Sequence, residues 1–227
     1  PADAYELSRV TRMEHVNTTI VEKPQEGIAI VADRIAKLIN RREANGQKTV
    51  LSLASGRSMR DLFVELVRLH KEEGLSFKNV VVFGSYEFYP LADSSLGSMA
   101  QIQSQLLDHI DILPENVHTF PGDLPKETVF TFCEEYEKAI VEAGGIDVQV
   151  LGIGQCGNIA MNEPGTQPNS STRLVIMDGN SRVDVKSLFG NVAQVPTCAI
   201  TLGVETILQA KEVILLAFGQ HKASIVQ

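Results

Sequence analysis

Cysteine is scarce in this sequence, and neither cysteine nor histidine is spaced as a metal site requires. The three cysteines, Cys133, Cys156 and Cys198, are scattered along 227 residues without the spacing of a zinc site or a disulfide framework. The five histidines form no His-x-x-x-His pattern and no cluster with cysteine. We therefore expect neither a metal nor a disulfide, and scattered thiols of this kind are typical of the reducing cytoplasm.

Long apolar runs and clusters of basic residues are also missing. No run approaches the roughly 18 apolar residues of a membrane-spanning helix, and no signal-peptide pattern opens the sequence. The net charge of -8 and a sequence pI of about 5.2 disfavour a nucleic-acid surface. We expect a cytoplasmic protein without membrane or nucleic-acid partners, in which an anionic ligand needs a locally positive pocket.

What the sequence does contain is a regular alternation of apolar runs and amphipathic patterns. Hydrophobic residues make up 44% and charged residues 21% of the chain, an ordinary balance for one globular domain of this length. The β-branched runs lie at 49–53, 80–83, 148–151 and 212–218, and the helical patterns at 27–42, 60–73, 98–109 and 125–143. The alternation predicts an α/β fold with a parallel sheet and helices on both faces, after a polar arm at 1–20.

The most distinctive stretch follows the strand predicted at Val148–Leu151, where Gly152, Gly154 and Gly157 occur within six residues. Glycines directly after a buried strand let the backbone turn sharply and approach a ligand closely. Two interpretations stay open: a loop that binds a small ligand, and a tight turn that binds nothing. A dinucleotide site is disfavoured, because Asn162–Gly165 interrupts the chain before a helix can start.

A second candidate loop, Ser55-Gly56-Arg57-Ser58, joins the first predicted strand to the helix after it. The free N–H groups and positive end of a helix favour an anion, and two hydroxyls and a guanidinium add donors. The serines could instead simply cap the helix, so phosphate binding and capping both stay open. The polar and aromatic run Tyr86–Leu91 likewise fits either a pocket or a locally packed surface loop.

Many short segments of the chain match, in order, those of one known family. They are Leu51–Ser58, Ser76–Phe83, Asp108–Ile112, Pro114–Asn116, Gly152–Pro164, Thr172–Arg173, Gln194–Pro196, Ala199–Val204 and Gly219–Ala223. From about Ile20 to Gln227 the chain resembles the glucosamine-6-phosphate deaminase/isomerase family. The resemblance implies a modified Rossmann-like domain over residues 21–227, truncated at its C-terminal end. It also implies conversion of glucosamine 6-phosphate to fructose 6-phosphate and ammonia, without a cofactor.

The resemblance further implies a phosphate site for a phosphorylated amino sugar. The implied phosphate-binding residues are Ser55, Gly56, Ser58 and Arg173. Arg57 stands where the family usually has a glycine, and Thr197 stands where it has a phosphate-binding lysine. Part of the implied phosphate site is therefore retained. It lacks the lysine that Thr197 replaces, and it has an additional cation in Arg57.

The catalytic positions depart further from the family. Tyr86 stands at the position of the proton-shuttling aspartate, Cys156 at that of an orienting aspartate, and Asn158 at that of the ring-opening histidine. Glu87 and Glu163 are retained. Asparagine has no basic nitrogen, and a tyrosine with a pKa of about 10 is a poor base near neutral pH. The usual mechanism cannot run with these groups, whereas the two glutamates could support other acid–base chemistry.

Three functions stay open at this point. The first is an enzyme acting on glucosamine 6-phosphate with altered catalytic groups, and the second is a non-catalytic sugar-phosphate-binding or scaffolding domain. The third, a gluconolactonase-like hydrolase, has the least support, because that branch also uses a central-loop histidine. The amino-acid sequence of Tyr86–Leu91 also resembles that of a bacterial branch of the family, in which a deaminase-like domain precedes a deacetylase-like domain. A fused C-terminal domain and a homo-oligomer are both compatible with the sequence.

Overall fold

The computed structural model describes residues 16–226. Most of the predicted N-terminal arm, residues 1–15, lies outside the described residues, and residues 16–20 precede the first helix without forming a helix or strand. In the described part of the chain, no helix is long and apolar enough to cross a bilayer.

The elements alternate along the chain much as the sequence predicts. The helices are α1 (Pro24–Ala44), α2 (Arg57–Glu73), α3 (Ser98–Gln105), α4 (Val129–Glu142), α5 (Gly179–Phe189), α6 (Val204–Leu208) and α7 (Ala223–Val226). The strands are β1 (Thr49–Leu53), β2 (Val80–Gly84), β3 (Tyr86–Tyr89), β4 (Val117–His118), β5 (Val148–Gly152), β6 (Arg173–Ile176), β7 (Cys198–Thr201) and β8 (Glu212–Leu216). Short 3₁₀ turns lie in several of the connections.

Five strands form a parallel central sheet in the order β4-β2-β1-β5-β8. Successive residues of β1 face two different cores, as expected for a strand that is covered on both sides. Leu51 and Leu53 belong to the core under α1, α2 and α3, whereas Val50 belongs to the core that includes α4 and the second sheet. The predicted α/β class, with helices on both faces, is confirmed.

A second sheet of three antiparallel strands, in the order β3-β7-β6, was not predicted. The chain passes directly from the first sheet to the second at Ser85, which is fully buried. The Ser85 N–H donates to the carbonyl of Leu53, and its own carbonyl accepts from the N–H of Leu202, both at 2.9 Å. Tyr86, Thr201 and Arg173 lie in register across this sheet. The run Tyr86–Tyr89 is thus a buried strand, which corrects the alternative of a surface loop.

The helices differ from the prediction in three places. No helix is predicted between Arg173 and Val195, yet α5 occupies much of that segment, and its N-cap residue is Asp178, whose carboxylate accepts the N–H of Asn180 at 2.8 Å. The helix predicted at 98–109 ends at Gln105 and is followed by a 3₁₀ turn at Leu107–His109. The helix predicted at 125–143 is a short 3₁₀ turn followed by α4. The first correction matters for function, because α5 forms one wall of the cleft described below.

Candidate functional site

A cleft of about 360 Å³ lies where the loops after β1 and β5 meet the start of β3. The carboxyl ends of parallel strands are the usual place for a ligand in open α/β sheets. Eight of the residues singled out from the sequence line this cleft: Ser55, Gly56, Arg57, Ser58, Tyr86, Gly152, Gly154 and Asn158. The fold therefore brings together two loops that lie about a hundred residues apart in the sequence.

The loop after β1 ends at the start of α2, where Gly56 is the N-cap residue with a φ of 129°. Among the residues that the structure describes, no side chain caps this helix start. The alternative in which the serines only cap the helix is therefore not observed. Ser55 instead pairs its hydroxyl with the Tyr86 hydroxyl at 2.8 Å. An uncapped helix start, with its N–H groups and positive end, is suited to an anion.

The loop after β5 folds back on itself through its glycines. The Gly154 N–H donates to the carbonyl of Asn158 at 2.8 Å, and the Gly157 N–H donates to the carbonyl of Gly154 at 3.1 Å. Gly157 has a φ of 86°, which a residue with a side chain rarely adopts. The chain then makes a short bridge between Ile159 and Asn162 rather than a helix. Because no helix follows, this loop lacks the geometry of a dinucleotide site.

The carboxamide of Asn158 packs directly over Gly154. A Cβ atom added at Gly154 would lie 1.8 Å from the Asn158 Oδ1 atom. The Nδ2 group donates to the carbonyl of Ala160 at 3.2 Å, whereas the buried Oδ1 atom has no hydrogen-bond partner within the described residues. Asn158 stands where the resemblance implies a ring-opening histidine, and its carboxamide has no basic nitrogen.

Tyr86 is buried, and its hydroxyl lies at the floor of the cleft beside Ser55. Burial raises the pKa of the Tyr86 phenol above its ordinary value. The phenol is therefore neutral at physiological pH and unsuited to accept a proton. The structure places Tyr86 where a catalytic group was predicted, but in the wrong protonation state for a base.

Glu87 points away from the cleft and lines a separate depression of about 400 Å³. Its carboxylate accepts the N–H groups of Phe88, Ser98 and Met99 at 2.8, 2.8 and 2.9 Å. The last two donors belong to the first turn of α3, so Glu87 caps that helix from outside. Burial raises the pKa of the Glu87 carboxyl, although its three backbone donors oppose this shift. The contacts of Glu87 are those of a structural group.

Glu163 and Cys156 lie behind the cleft wall. Neither residue lines the cleft directly. Glu163 accepts the hydroxyl of Ser181 at 2.6 Å, and Ser181 does line it. The pKa of the Cys156 thiol is raised, first by burial and then by the nearby carboxylates of Asp184, Asp178 and Glu163. Cys156 is thus a neutral thiol at the position where the resemblance implies an orienting carboxylate.

Two further predicted residues, Gly157 and Arg173, do not line the cleft. Arg173 lies on β6, two strands away from Tyr86, and donates to the carbonyl of Ser171 at 3.2 Å. Partial burial lowers the pKa of its guanidinium from the ordinary value. The phosphate-binding role that the resemblance implies for Arg173 stays a prediction.

Several residues of the cleft were missed in the sequence. Lys222 and His221 line it from the turn before α7, and Asp184, Ser181 and Val185 line it from α5. The Lys222 Nζ group donates to the carbonyl of Ile153 at 2.7 Å, so its charge is held at the edge of the cleft. The matched segment Gly219–Ala223 contained the signal for Lys222. For α5 the available signal was Asp178, because aspartate is a preferred N-cap residue.

Tyr86→Phe is expected to lower the free energy of unfolding by about 1 kcal/mol, because it leaves the Ser55 hydroxyl without its partner. Affinity for a ligand in the cleft should not fall, since the freed hydroxyl becomes available to it. Urea denaturation and ligand titration measure the two effects. A strong loss of affinity without any loss of stability would contradict this structural role for the Tyr86 hydroxyl.

Comparison with curated proteins identifies similar chains. The family model described as "Glucosamine-6-phosphate isomerases/6-phosphogluconolactonase" matches residues 22–227. A glucosamine-6-phosphate deaminase-like protein of Bacteroides thetaiotaomicron is 45% identical over 228 residues, which are 100% of this chain but only 34% of the relative. The glucosamine-6-phosphate deaminase of Bacillus pumilus is 40% identical over 197 residues, or 85% of this chain and 79% of the relative. The chain thus spans about a third of the length of the Bacteroides relative.

Solved structures show the same fold. A monomeric glucosamine-6-phosphate deaminase superposes with a TM-score of 0.86 at 30% identity, over 93% of this chain and 86% of the other. A 6-phosphogluconolactonase of Thermotoga maritima superposes with a TM-score of 0.70 at 20% identity, over 92% of this chain and 86% of the other. The second likeness shows the fold alone. Proteins named for two different reactions share this fold, so the fold alone does not identify the reaction. The function has to be inferred from the residues of the cleft.

Proposed function

This chain belongs to the family of glucosamine-6-phosphate isomerases and 6-phosphogluconolactonases, and on that premise we propose that its cleft binds a phosphorylated amino sugar. Glucosamine 6-phosphate is the first ligand to test. We propose in addition that binding is not followed by deamination, because the usual catalytic groups are replaced. The binding unit is the α/β domain of residues 21–227.

The observation that supports phosphate binding is the uncapped start of α2 in the same cleft as Lys222. The helix start offers backbone N–H groups and a positive dipole end, and the hydroxyls of Ser55 and Ser58 lie beside it. Lys222 and Arg57 add two positive charges in the cleft. In a chain with a net charge of -8, this local arrangement can attract an anion.

The absence of turnover is supported by the state of each predicted catalytic group. The Tyr86 phenol is neutral because burial raises its pKa, and Asn158 has no basic nitrogen. Glu87 lines a separate depression and caps α3, and Glu163 accepts the Ser181 hydroxyl behind the cleft wall. None of the four predicted catalytic residues is therefore placed and charged to move protons on a bound sugar phosphate, so this cleft can retain the ligand without the usual reaction.

The test is a calorimetric titration of the protein with glucosamine 6-phosphate, with ammonia measured in the same sample. The expected result is saturable heat without ammonia release. Ammonia release that follows the protein concentration would overturn the second part of the proposal and favour an enzyme with altered catalytic groups. No binding of any hexose phosphate would overturn the first part.

Lys222→Ala is expected to weaken glucosamine 6-phosphate binding by at least about tenfold, the usual loss when a charge-assisted contact to phosphate is removed. Calorimetry measures the affinity, and competition by inorganic phosphate should weaken in parallel. Lys186→Ala is the matched control, because it removes the same charge from an exposed position on α5 that does not line the cleft. Its affinity should stay within about twofold of wild type.

Arg173→Ala tests whether the phosphate is bound by Lys222, as proposed here, or by Arg173, as the sequence resemblance implies. If Arg173 binds the phosphate, its removal should weaken binding as strongly as Lys222→Ala. We expect unchanged affinity, because Arg173 is not among the residues that line the cleft. A strong loss in Arg173→Ala together with normal binding in Lys222→Ala would reverse the assignment.

A further inference from the structure

The cleft has opposite charges on different walls, and we propose that Asp184 binds the protonated amino group of the sugar phosphate. In this role Asp184 selects amino sugars over their uncharged 2-hydroxy analogues. The inference rests on the proposed function, since it names the residue that recognises the second charged group of the same ligand. Glucosamine 6-phosphate contains both charges, an anionic phosphate and a cationic amine.

Lys222 is held by the carbonyl of Ile153 and is a cation beside the loop after β5. The start of α2, with its backbone N–H groups and Arg57, forms a positive side of the cleft that suits the phosphate. A phosphate held at this side leaves the sugar ring to extend along the loop after β5, where Gly152, Gly154 and Asn158 line the cleft.

The negative side of the cleft is formed by α5, where the half-buried Asp184 lies beside that same loop. Its Oδ2 atom accepts the N–H of Gln155 at 3.2 Å, which fixes the carboxylate against the loop. Within residues 16–226, no lysine, arginine or histidine forms an ion pair with it. A partly buried carboxylate without a cation is a good partner for an ammonium group of a ligand.

Asp61 is the other carboxylate that lines the cleft, but its position suits a different part of the ligand. It is exposed and lies one turn after Arg57 on α2, the helix that begins at the phosphate loop. Its charge therefore lies on the phosphate side of the cleft. Asp184 lies on α5 beside Gln155 of the loop after β5, along which the ring and its amine are expected to extend.

Asp184→Asn tests the inference, because the amide oxygen can still accept the Gln155 N–H while the charge is removed. Wild type and variant are titrated with glucosamine 6-phosphate and with glucose 6-phosphate, and ammonia is followed in the first titration. We expect glucosamine 6-phosphate to bind about ten- to a hundredfold more weakly to the variant. Glucose 6-phosphate should bind equally well or slightly better, since one negative charge that repels its phosphate is gone.

Asp178→Asn is the matched control on the same helix. It removes an equal charge six residues earlier, from a side chain that caps α5 and does not line the cleft. The cap should survive, because asparagine is as good a capping residue as aspartate. Both ligands should change in affinity by the same small factor, under about threefold.

Each result bears on a different part of the argument. Selective loss of glucosamine 6-phosphate affinity in Asp184→Asn, without such a loss in Asp178→Asn, supports the inference. An equal loss for both ligands would show that Asp184 only holds the loop, and no loss would show that it has no role. Equal wild-type affinity for both ligands would overturn the inference alone, whereas no binding of either ligand would overturn the proposed function as well.

Discussion

Installing Tyr86→Asp, Cys156→Asp and Asn158→His together is expected to raise the rate of ammonia release from glucosamine 6-phosphate by about 10²-fold or more. General acid and base groups typically contribute factors of about 10² to 10⁴, and this chain lacks them at all three positions. The reason to expect a gain is geometric, because Tyr86 and Asn158 already line the cleft that contains the proposed phosphate site. The substitutions therefore add titratable side chains without requiring the backbone to move.

Single substitutions should recover much less than the triple variant, because catalytic groups that act as a unit are strongly non-additive. Asn158→His alone introduces an imidazole with no carboxylate at position 156 to orient it. Tyr86→Asp alone supplies a carboxylate in a buried place, where its pKa rises. Ammonia release should therefore be measured for each single variant as well as for the triple variant.

The control for the restored enzyme is Lys222→Ala in the triple variant. If Lys222 binds phosphate as proposed, this fourth change should raise KM with little effect on kcat, as expected for loss of uniform binding. The prediction fails if the triple variant binds the ligand as wild type does and still releases no ammonia. That outcome would mean that the loops no longer present positions 86, 156 and 158 to the same substrate atoms.

The central sheet was predictable because its strands are short, apolar and rich in β-branched residues. The run at 49–53 coincides with β1, and the runs at 80–83 and 148–151 each lie one residue short of β2 and β5. Such strands are buried on both faces, so their composition alone indicates them. The loops after β1 and β5 followed from the same reasoning, since a ligand site is expected at the carboxyl ends of these strands.

The second sheet was not predictable in this way. Tyr86–Tyr89 contains a charged residue and begins only one residue after the end of β2, so its sequence could not be distinguished from that of the loop expected there. The Glu87 carboxylate is accommodated in a buried strand by N–H donors that include Ser98 and Met99 in the first turn of α3. Tertiary contacts of this kind leave no trace in the local pattern.

The wall formed by α5 was missed for a related reason. The helix buries few side chains, among them Ser181 and Phe189, so it lacks the apolar stripe that marks an amphipathic helix. Asp184 therefore could not be placed in the cleft from the sequence. Arg173 was grouped with the phosphate loop by resemblance alone, and it is not among the residues that line the cleft.

Gly154→Ala is expected to lower the free energy of unfolding by about 2–3 kcal/mol, the cost of forcing extra volume into a packed site. The added Cβ atom would lie 1.8 Å from Asn158 Oδ1 and 2.5 Å from its Cγ atom, so the whole carboxamide has to leave. Its bond to the Ala160 carbonyl is then lost, and the loop after β5 has to rearrange. Ligand affinity should fall with stability, because both residues line the cleft.

A double-mutant cycle assigns that cost to the contact with Asn158. In an Asn158→Ala background the clashing atoms are absent, so Gly154→Ala should cost less than about 1 kcal/mol there. Gly152→Ala, at the end of β5, is the matched control, because an added Cβ atom meets nothing within 4 Å and neither glycine has a positive φ. It should leave the unfolding midpoint nearly unchanged, so any loss of affinity it causes reports a close approach of the ligand. An equal cost of Gly154→Ala in both backgrounds would mean that the glycine is required by the backbone and not by Asn158.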